Sequence, residues 1–192
     1  MTTNVRTETL RTPYLLLASP ELGDPNFRKA VVLMGHHTDE GALGWIVNRS
    51  IDGGARALLP EELAAPLHPD TPLRIGGPIG TPGLLVLHRT LVTGIESTEL
   101  ASGLFVSASP DILSKLFASI PGKGIPAGLL IFGYSGWGPG QLEREMEDGS
   151  WLVLPYAEEL AFPGEEETLW ERGLARLGAD PGNISSPPTG IN

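Results

Sequence analysis

Four glycines in eight residues, Gly133-Tyr134-Ser135-Gly136-Trp137-Gly138-Pro139-Gly140, follow the apolar run Leu129-Leu130-Ile131-Phe132 and precede Gln141-Leu142-Glu143-Arg144-Glu145-Met146. That order predicts a strand, a glycine-rich turn and a helix. Glycine permits left-handed backbone angles and close approach of the main chain to another group, and Pro139 fits a first helical turn without losing a needed donor. Free amides at a helix start gather about half a positive charge, which attracts a carboxylate or another small anion. The alternative is a tight turn that admits Trp137 into the core, and residue types alone do not separate the two.

Two sharper chemistries need residues that this segment lacks. A nucleophile elbow requires Gly-x-Ser-x-Gly, and the position two after Ser135 is Trp137, so small residues do not flank the serine. A P-loop requires Gly-Lys-Ser/Thr at the helix start. The chain has Gly140-Gln141-Leu142 there, with neither the phosphate lysine nor the magnesium hydroxyl.

Elsewhere the candidates are sparse. His88 ends an apolar strand downstream of Gly76-Gly77-Pro78 and is the best general acid or base on offer, although a histidine there is also a common hydrogen-bonded core residue. Asn48 ends another strand, where its amide can bind a ligand or tie down a loop. His36-His37-Thr38-Asp39-Glu40 has the side chains of a metal cluster. Adjacent strand residues point to opposite faces, so one ion cannot readily take both histidines, and a polar hairpin turn is expected with no metal bound. Glu143, Glu145, Glu147 and Asp148 form an acidic run that reads as a solvated helix face.

Short apolar runs predict the strands that would carry these groups: 14–18, 30–35, 42–48, 73–76, 83–88, 104–107, 128–132 and 151–154. The turn Thr38-Asp39-Glu40-Gly41 is too brief for a crossover helix, so the second and third strands should form an antiparallel hairpin. A short helix over 54–65 should break at Pro60. A second is expected from Ser109-Pro110-Asp111 to the stop at Pro121-Gly122. A last one over 165–177 places three glutamates at its positive end and is closed by Gly178. Hairpins mixed with helices indicate an α+β fold, a single domain with a mixed, largely antiparallel sheet flanked by helices. The domain should occupy 13–179, with loose tails at 1–12 and 180–192.

Bulk properties restrict the function. A chain of 192 residues with 41% hydrophobic content is long enough for one sizeable core. Its 13 basic and 23 acidic residues, net -10, offer no clustered basic face, so no direct nucleic-acid binding is expected. Zero cysteines remove thiolate metal sites and Cys nucleophiles. The first apolar run, Tyr14 to Ala18, is too short for a signal or a membrane span, so a cytoplasmic protein without membrane contact is expected.

The segment Gly133 to Glu143, followed by Gly149-Ser150-Trp151, resembles the signature of the YqgE/AlgH family. Ala18-Ser19-Pro20 with Asp24-Pro25-Asn26-Phe27, Gly41 to Arg49, Gly76-Gly77-Pro78 with Leu87-His88, and Phe162 with Leu169-Trp170 are similar to other stretches of it. The resemblance covers nearly the whole domain and implies a single α+β unit of bacterial cytoplasm with no established biochemical activity. One branch is named for regulating alginate gene expression, which points to a transcriptional regulator without implying DNA contact. The expectation is therefore a non-catalytic binding or regulatory protein, with a groove near the 133–140 loop for a protein partner or small anionic ligand. Asn48, Gly76, Gly77, Pro78, His88, Tyr134, Ser135, Trp137 and Gln141 are the candidate binding residues, with no cofactor expected. The alternative is a hydrolase or transferase on a small anionic substrate, with His88 as base and the loop amides stabilising negative charge.

Overall fold

Backbone pairing organises the molecule around one long strand. The computed structural model describes residues 10–118 and 127–178, so most of both expected tails and the Pro121-Gly122 helix stop lie outside the described residues. Within them the chain runs β1 (Tyr14–Ala18), β2 (Val31–Thr38), β3 (Gly41–Ile46), α1 (Gly54–Leu58), α2 (Glu61–Ala64), β4 (Leu73–Ile75), β5 (Ile79–His88), β6 (Thr98–Ala101), β7 (Leu104–Ser107), α3 (Asp111–Phe117), β8 (Gly128–Trp137), α4 (Gln141–Glu147), β9 (Trp151–Pro155), α5 (Glu158–Ala161) and α6 (Leu169–Arg176). The strands form one sheet in the order β6-β7-β5-β8-β3-β2-β1-β9, with β4 beside β8. The β4–β8 pair is parallel and the other strand pairs are antiparallel, so the sheet is mixed and largely antiparallel. The hairpin expected between the second and third strands is present, with Thr38 opposite Gly41.

Strand β8 joins the two halves of the sheet. Its first half pairs with β4 and β5, and its second half pairs with β3 through Ser135, Gly136 and Trp137. Three cores result. Leu15, Leu17, Leu33, Trp45, Leu129 and Ile131 pack with Phe162, Leu169 and Trp170 on one face. Leu16, Val32, Met34 and Ile46 pack with Trp137, Leu142 and Trp151 under α4. Leu73, Val86 and Leu130 pack with Ala55, Ile112 and Phe117 beneath α1 and α3.

The glycine-rich segment departs from the expected turn. Gly133 through Trp137 continue β8, and the turn is confined to Gly138-Pro139-Gly140. Leu129, Ile131 and Tyr134 all pack against the first core, a spacing of two and then three, so the side-chain alternation slips by one at Gly133. Its φ of 76° produces that slip, as in a β-bulge. Two short elements, β6 and α5, were not expected, since each is only four residues long. The last helix begins at Leu169, not 165: Glu166 is drawn out of the first turn to pair with the buried guanidinium of Arg74. The helix after residue 109 starts at Asp111 with no side-chain cap from Ser109. Helix 54–65 divides at Pro60, as expected.

Candidate functional site

The residues of the 133–141 segment are largely spent on the protein itself. Trp137 is buried, 6% exposed, and its indole N–H donates to Glu145 Oε2 at 2.9 Å. The Trp151 indole donates to the same oxygen at 2.8 Å, and the Gln141 amide donates to Glu145 Oε1 at 2.8 Å. One carboxylate therefore terminates three donors. Gln141 Oε1 in turn accepts the Gly138 N–H at 3.1 Å, which occupies an amide that was a candidate for anion binding. Phe27 completes the cluster, stacked on Trp137 with centroids 6.1 Å apart and edge-on to Trp151 at 5.3 Å. Buried indoles need an acceptor, and α4 supplies it from a position four residues after Gln141 on the same face.

The other acidic position on α4 is also engaged. Glu143 Oε1 lies 2.9 Å from His37 Nε2, and His37 Nδ1 lies 2.8 Å from the Tyr14 hydroxyl. Burial, with Glu143 nearby, pushes the Tyr14 phenol well above its ordinary value. Burial pushes the Glu143 carboxyl up, but its backbone hydrogen bond and the His37 ring outweigh this and hold it below the usual carboxylate range. Glu143 and Glu145 thus depart from the solvated face expected of the acidic run, while Glu147 and Asp148 are exposed. The two histidines of the 36–40 segment separate as the strand geometry requires, His36 facing Thr38 and His37 facing inward. Among the described residues no group of three His, Cys, Asp or Glu side chains could hold a metal ion.

Gly76 and Gly77 serve close packing. A Cβ on Gly76 would run into the Gly133 carbonyl and one on Gly77 into the Tyr134 backbone. Ser135 is fully buried and donates to the Gly76 carbonyl at 3.0 Å, so its hydroxyl fastens the same contact. Tyr134 is half-buried opposite Ile79, and Pro78 is exposed beside them. Asn48 ties down a loop: Oδ1 accepts the Val31 N–H at 2.8 Å and Nδ2 donates to the Lys29 carbonyl at 2.9 Å.

His88 is not brought to the others. It pairs with Gly128 at the start of β8, whereas Trp137 is the last residue of that ten-residue strand. At about 3.3 Å per residue the strand spans about 30 Å. The ring is fully buried, stacked on Phe105 with centroids 5.4 Å apart. Nδ1 faces the Thr90 carbonyl at 2.8 Å and Nε2 the Ser97 hydroxyl at 3.1 Å. An arrangement of His88 with the loop amides is thus not assembled. The nine candidates divide into the Trp137–Gln141 cluster, the packed group of Gly76, Gly77, Pro78, Tyr134 and Ser135, and two separate residues, Asn48 and His88.

An open cleft lies elsewhere, lined by none of the nine candidates and linked to the first group through Phe27, which stacks on Trp137 and precedes Arg28. Ser19, Pro20, Glu21, Leu22, Gly23, Arg28, Lys29 and Trp170 wall a cleft of about 570 Å³. Its loop is held from below: besides Asn48, the Arg49 guanidinium donates to the carbonyls of Asn26 and Arg28. Lys29 has a left-handed φ of 53°, which is uncommon outside glycine. Its ammonium sits 5.2 Å from the Trp170 ring centroid and 2.7 Å from Glu171 Oε1. Arg28 makes no salt bridge among the described residues. The Trp170 indole donates to the Ala18 carbonyl at 2.8 Å, anchoring α6 to the start of the loop. Sequence reasoning missed the cleft because its basic residues are isolated in an acidic chain. The adjacent pair Arg28-Lys29, between Phe27 and a buried strand, was the available signal.

Comparison with known proteins matches this architecture. A UPF0301 protein of Cereibacter sphaeroides is 36% identical over 176 residues, covering 90% of this chain and 94% of its own. A UPF0301 protein of Anaeromyxobacter dehalogenans is 38% identical over 179 residues, covering 88% and 89%. The solution structure of the AlgH protein from Pseudomonas aeruginosa superposes with a TM-score of 0.68 at 28% identity, over 97% of this chain and 98% of that one. A crystal structure of a Corynebacterium diphtheriae protein shares the fold, with a TM-score of 0.65 at 23% identity over 87% of each chain. The model of the AlgH-like family matches residues 15–182, from the first strand past the last helix, and the chain belongs to that family.

Proposed function

We propose that this is a non-catalytic binding or regulatory protein whose ligand is a small anion received by the cleft between the 19–29 loop and Trp170, and not by a groove lined by the 133–140 loop itself. The observation that carries the reading is the Arg28-Lys29 pair on the cleft wall, one side chain without a counter-ion and the other on a left-handed backbone clamped by Asn48. Uncommon backbone geometry that the surroundings hold in place is concentrated at binding sites. The loop of the expected groove contributes through Trp137, which braces Phe27, the residue before Arg28. A cleft of this volume is within the range of small-molecule sites. The competing reading, a hydrolase or transferase on a small anionic substrate, needs a base beside the anion, and His88 has both ring nitrogens engaged in the core.

A thermal-shift survey of small carboxylates and phosphates tests the proposal. A ligand at a hundred times its Kd stabilises the folded state by about 2.7 kcal/mol. For a chain of this size that raises Tm by roughly 5–10 °C. The expected result is such a shift in the wild type and its loss in the Arg28→Ala/Lys29→Ala double variant. An undiminished shift in that variant would sink the proposal.

A further inference from the structure

The charges around the cleft nearly cancel as they stand. Arg28, Lys29 and Glu21 line it, and Glu171 reaches Lys29 from α6. The Lys29 ammonium is oriented by two contacts, the Trp170 ring on one side and Glu171 Oε1 on the other. Glu171 is held unequally. Oε1 has its partner at 2.7 Å, while Oε2 is buried and has no hydrogen-bond partner among the described residues. A charged oxygen without a partner sacrifices hydration that it would regain on swinging into water. The pair itself is weakly held, because both side chains are partly solvated, 60% and 38% exposed. A carboxylate thus sits on the ammonium, poorly satisfied and next to a guanidinium that no carboxylate occupies.

We infer that Glu171 is an internal occupant of the anion position on Lys29, and that the ligand of the cleft displaces it with a carboxylate or phosphate group. This rests on the reading of the cleft as a binding site. Displacement exchanges one oxyanion for another on Lys29, releases Glu171 Oε2 to water, and gives the incoming group Arg28 as a second cation. The ligand is therefore an oxyanion with a body small enough for the cleft. Its affinity is lowered by the fraction of molecules in which Glu171 holds the lysine. Since α6 carries both Trp170 and Glu171, binding also breaks the ion pair between α6 and Lys29 while leaving the Trp170 bond to the Ala18 carbonyl of β1 in place.

The test titrates the full chain, labelled with nitrogen-15, with succinate and separately with inorganic phosphate, following the amides of residue 170 and of the non-proline residues in 19–29. Glu171→Gln and Glu171→Ala are expected to bind about fivefold more tightly than wild type, the scale of an exposed ion pair. Adding Lys29→Met should remove that gain. Glu21→Gln removes the same charge from the cleft wall without freeing Lys29, and should give a clearly smaller gain. A response to succinate alone assigns a carboxylate ligand, and one to phosphate alone assigns a phosphate. Equal gains from Glu21→Gln and Glu171→Gln, or no gain from either Glu171 variant while wild type binds, would overturn the displacement and leave the cleft as a site. No saturable shift in any of the proteins with either anion would overturn the binding reading and the displacement with it.

Discussion

At Glu145 a single carboxylate accepts from two indoles and one amide, with distances of 2.8–2.9 Å. Removing it leaves two largely buried N–H groups without acceptors, each costing about 1–3 kcal/mol. Glu145→Ala is therefore expected to lower unfolding free energy by roughly 2–4 kcal/mol in urea, while Glu147→Ala, two residues on and exposed, stays within about 0.5 kcal/mol. Similar losses from both would show that the carboxylate is not the terminus of the network. The acidic run was legible as a run but not as two different populations. Which of 143, 145, 147 and 148 faces inward depends on where α4 docks, and that is decided by Trp137 and Trp151 on strands outside the helix. Asn48 illustrates the same limit. Its amide was recognisable as a tether or a ligand, and only the position of Lys29 decides for the tether.

Among the elements, β8 shows why glycine content misleads. Gly133 and Gly136 were readable as positions where the backbone needs freedom or close approach, but a turn and a close strand contact demand the same residue, and Gly76 and Gly77 were read only as groove lining. At Gly133 the left-handed φ belongs to a slipped strand, and an added Cβ would lie 2.9 Å from the Ile79 carbonyl oxygen. At Gly77 the Cβ would fall on the Tyr134 backbone itself, which no side-chain rearrangement can relieve. Gly77→Ala should therefore cost more than about 3 kcal/mol, above the ordinary range for point changes. Gly23→Ala, at a cleft glycine whose Cβ would meet nothing within 4 Å, serves as the mild control in the same melting experiment. Equal, small effects of the two would contradict the close approach. Hairpin β2–β3 and the break at Pro60 were legible because they depend on neighbours in sequence, whereas the parallel β4–β8 pair joins segments that share no local signal.

For the molecule as a whole, the α+β class followed from alternating patterns and short connections, and the order of strands did not. Leu130 faces Leu73 on one side and Val86 on the other, and Ile131 faces Arg74 and Leu85, so this part of β8 is paired along both edges and buried. Its amides should exchange with solvent only through global unfolding, with the protection of the full stability, whereas the edge strand β6 should exchange sooner. Native-state hydrogen exchange checks this, and loss of β8 protection through a partial opening would contradict it. The cleft adds a different property at this scale: its walls come from the segment between β1 and β2 and from Trp170 on α6, so it depends on both ends of the described chain. The pairing of β1 with β9 ties residues 14–18 to 151–155. A ribosome must therefore release the chain through Pro155 before the first strand gains its second neighbour, and through Arg176 before the cleft gains its α6 wall, so both features form late in the emergence of this domain.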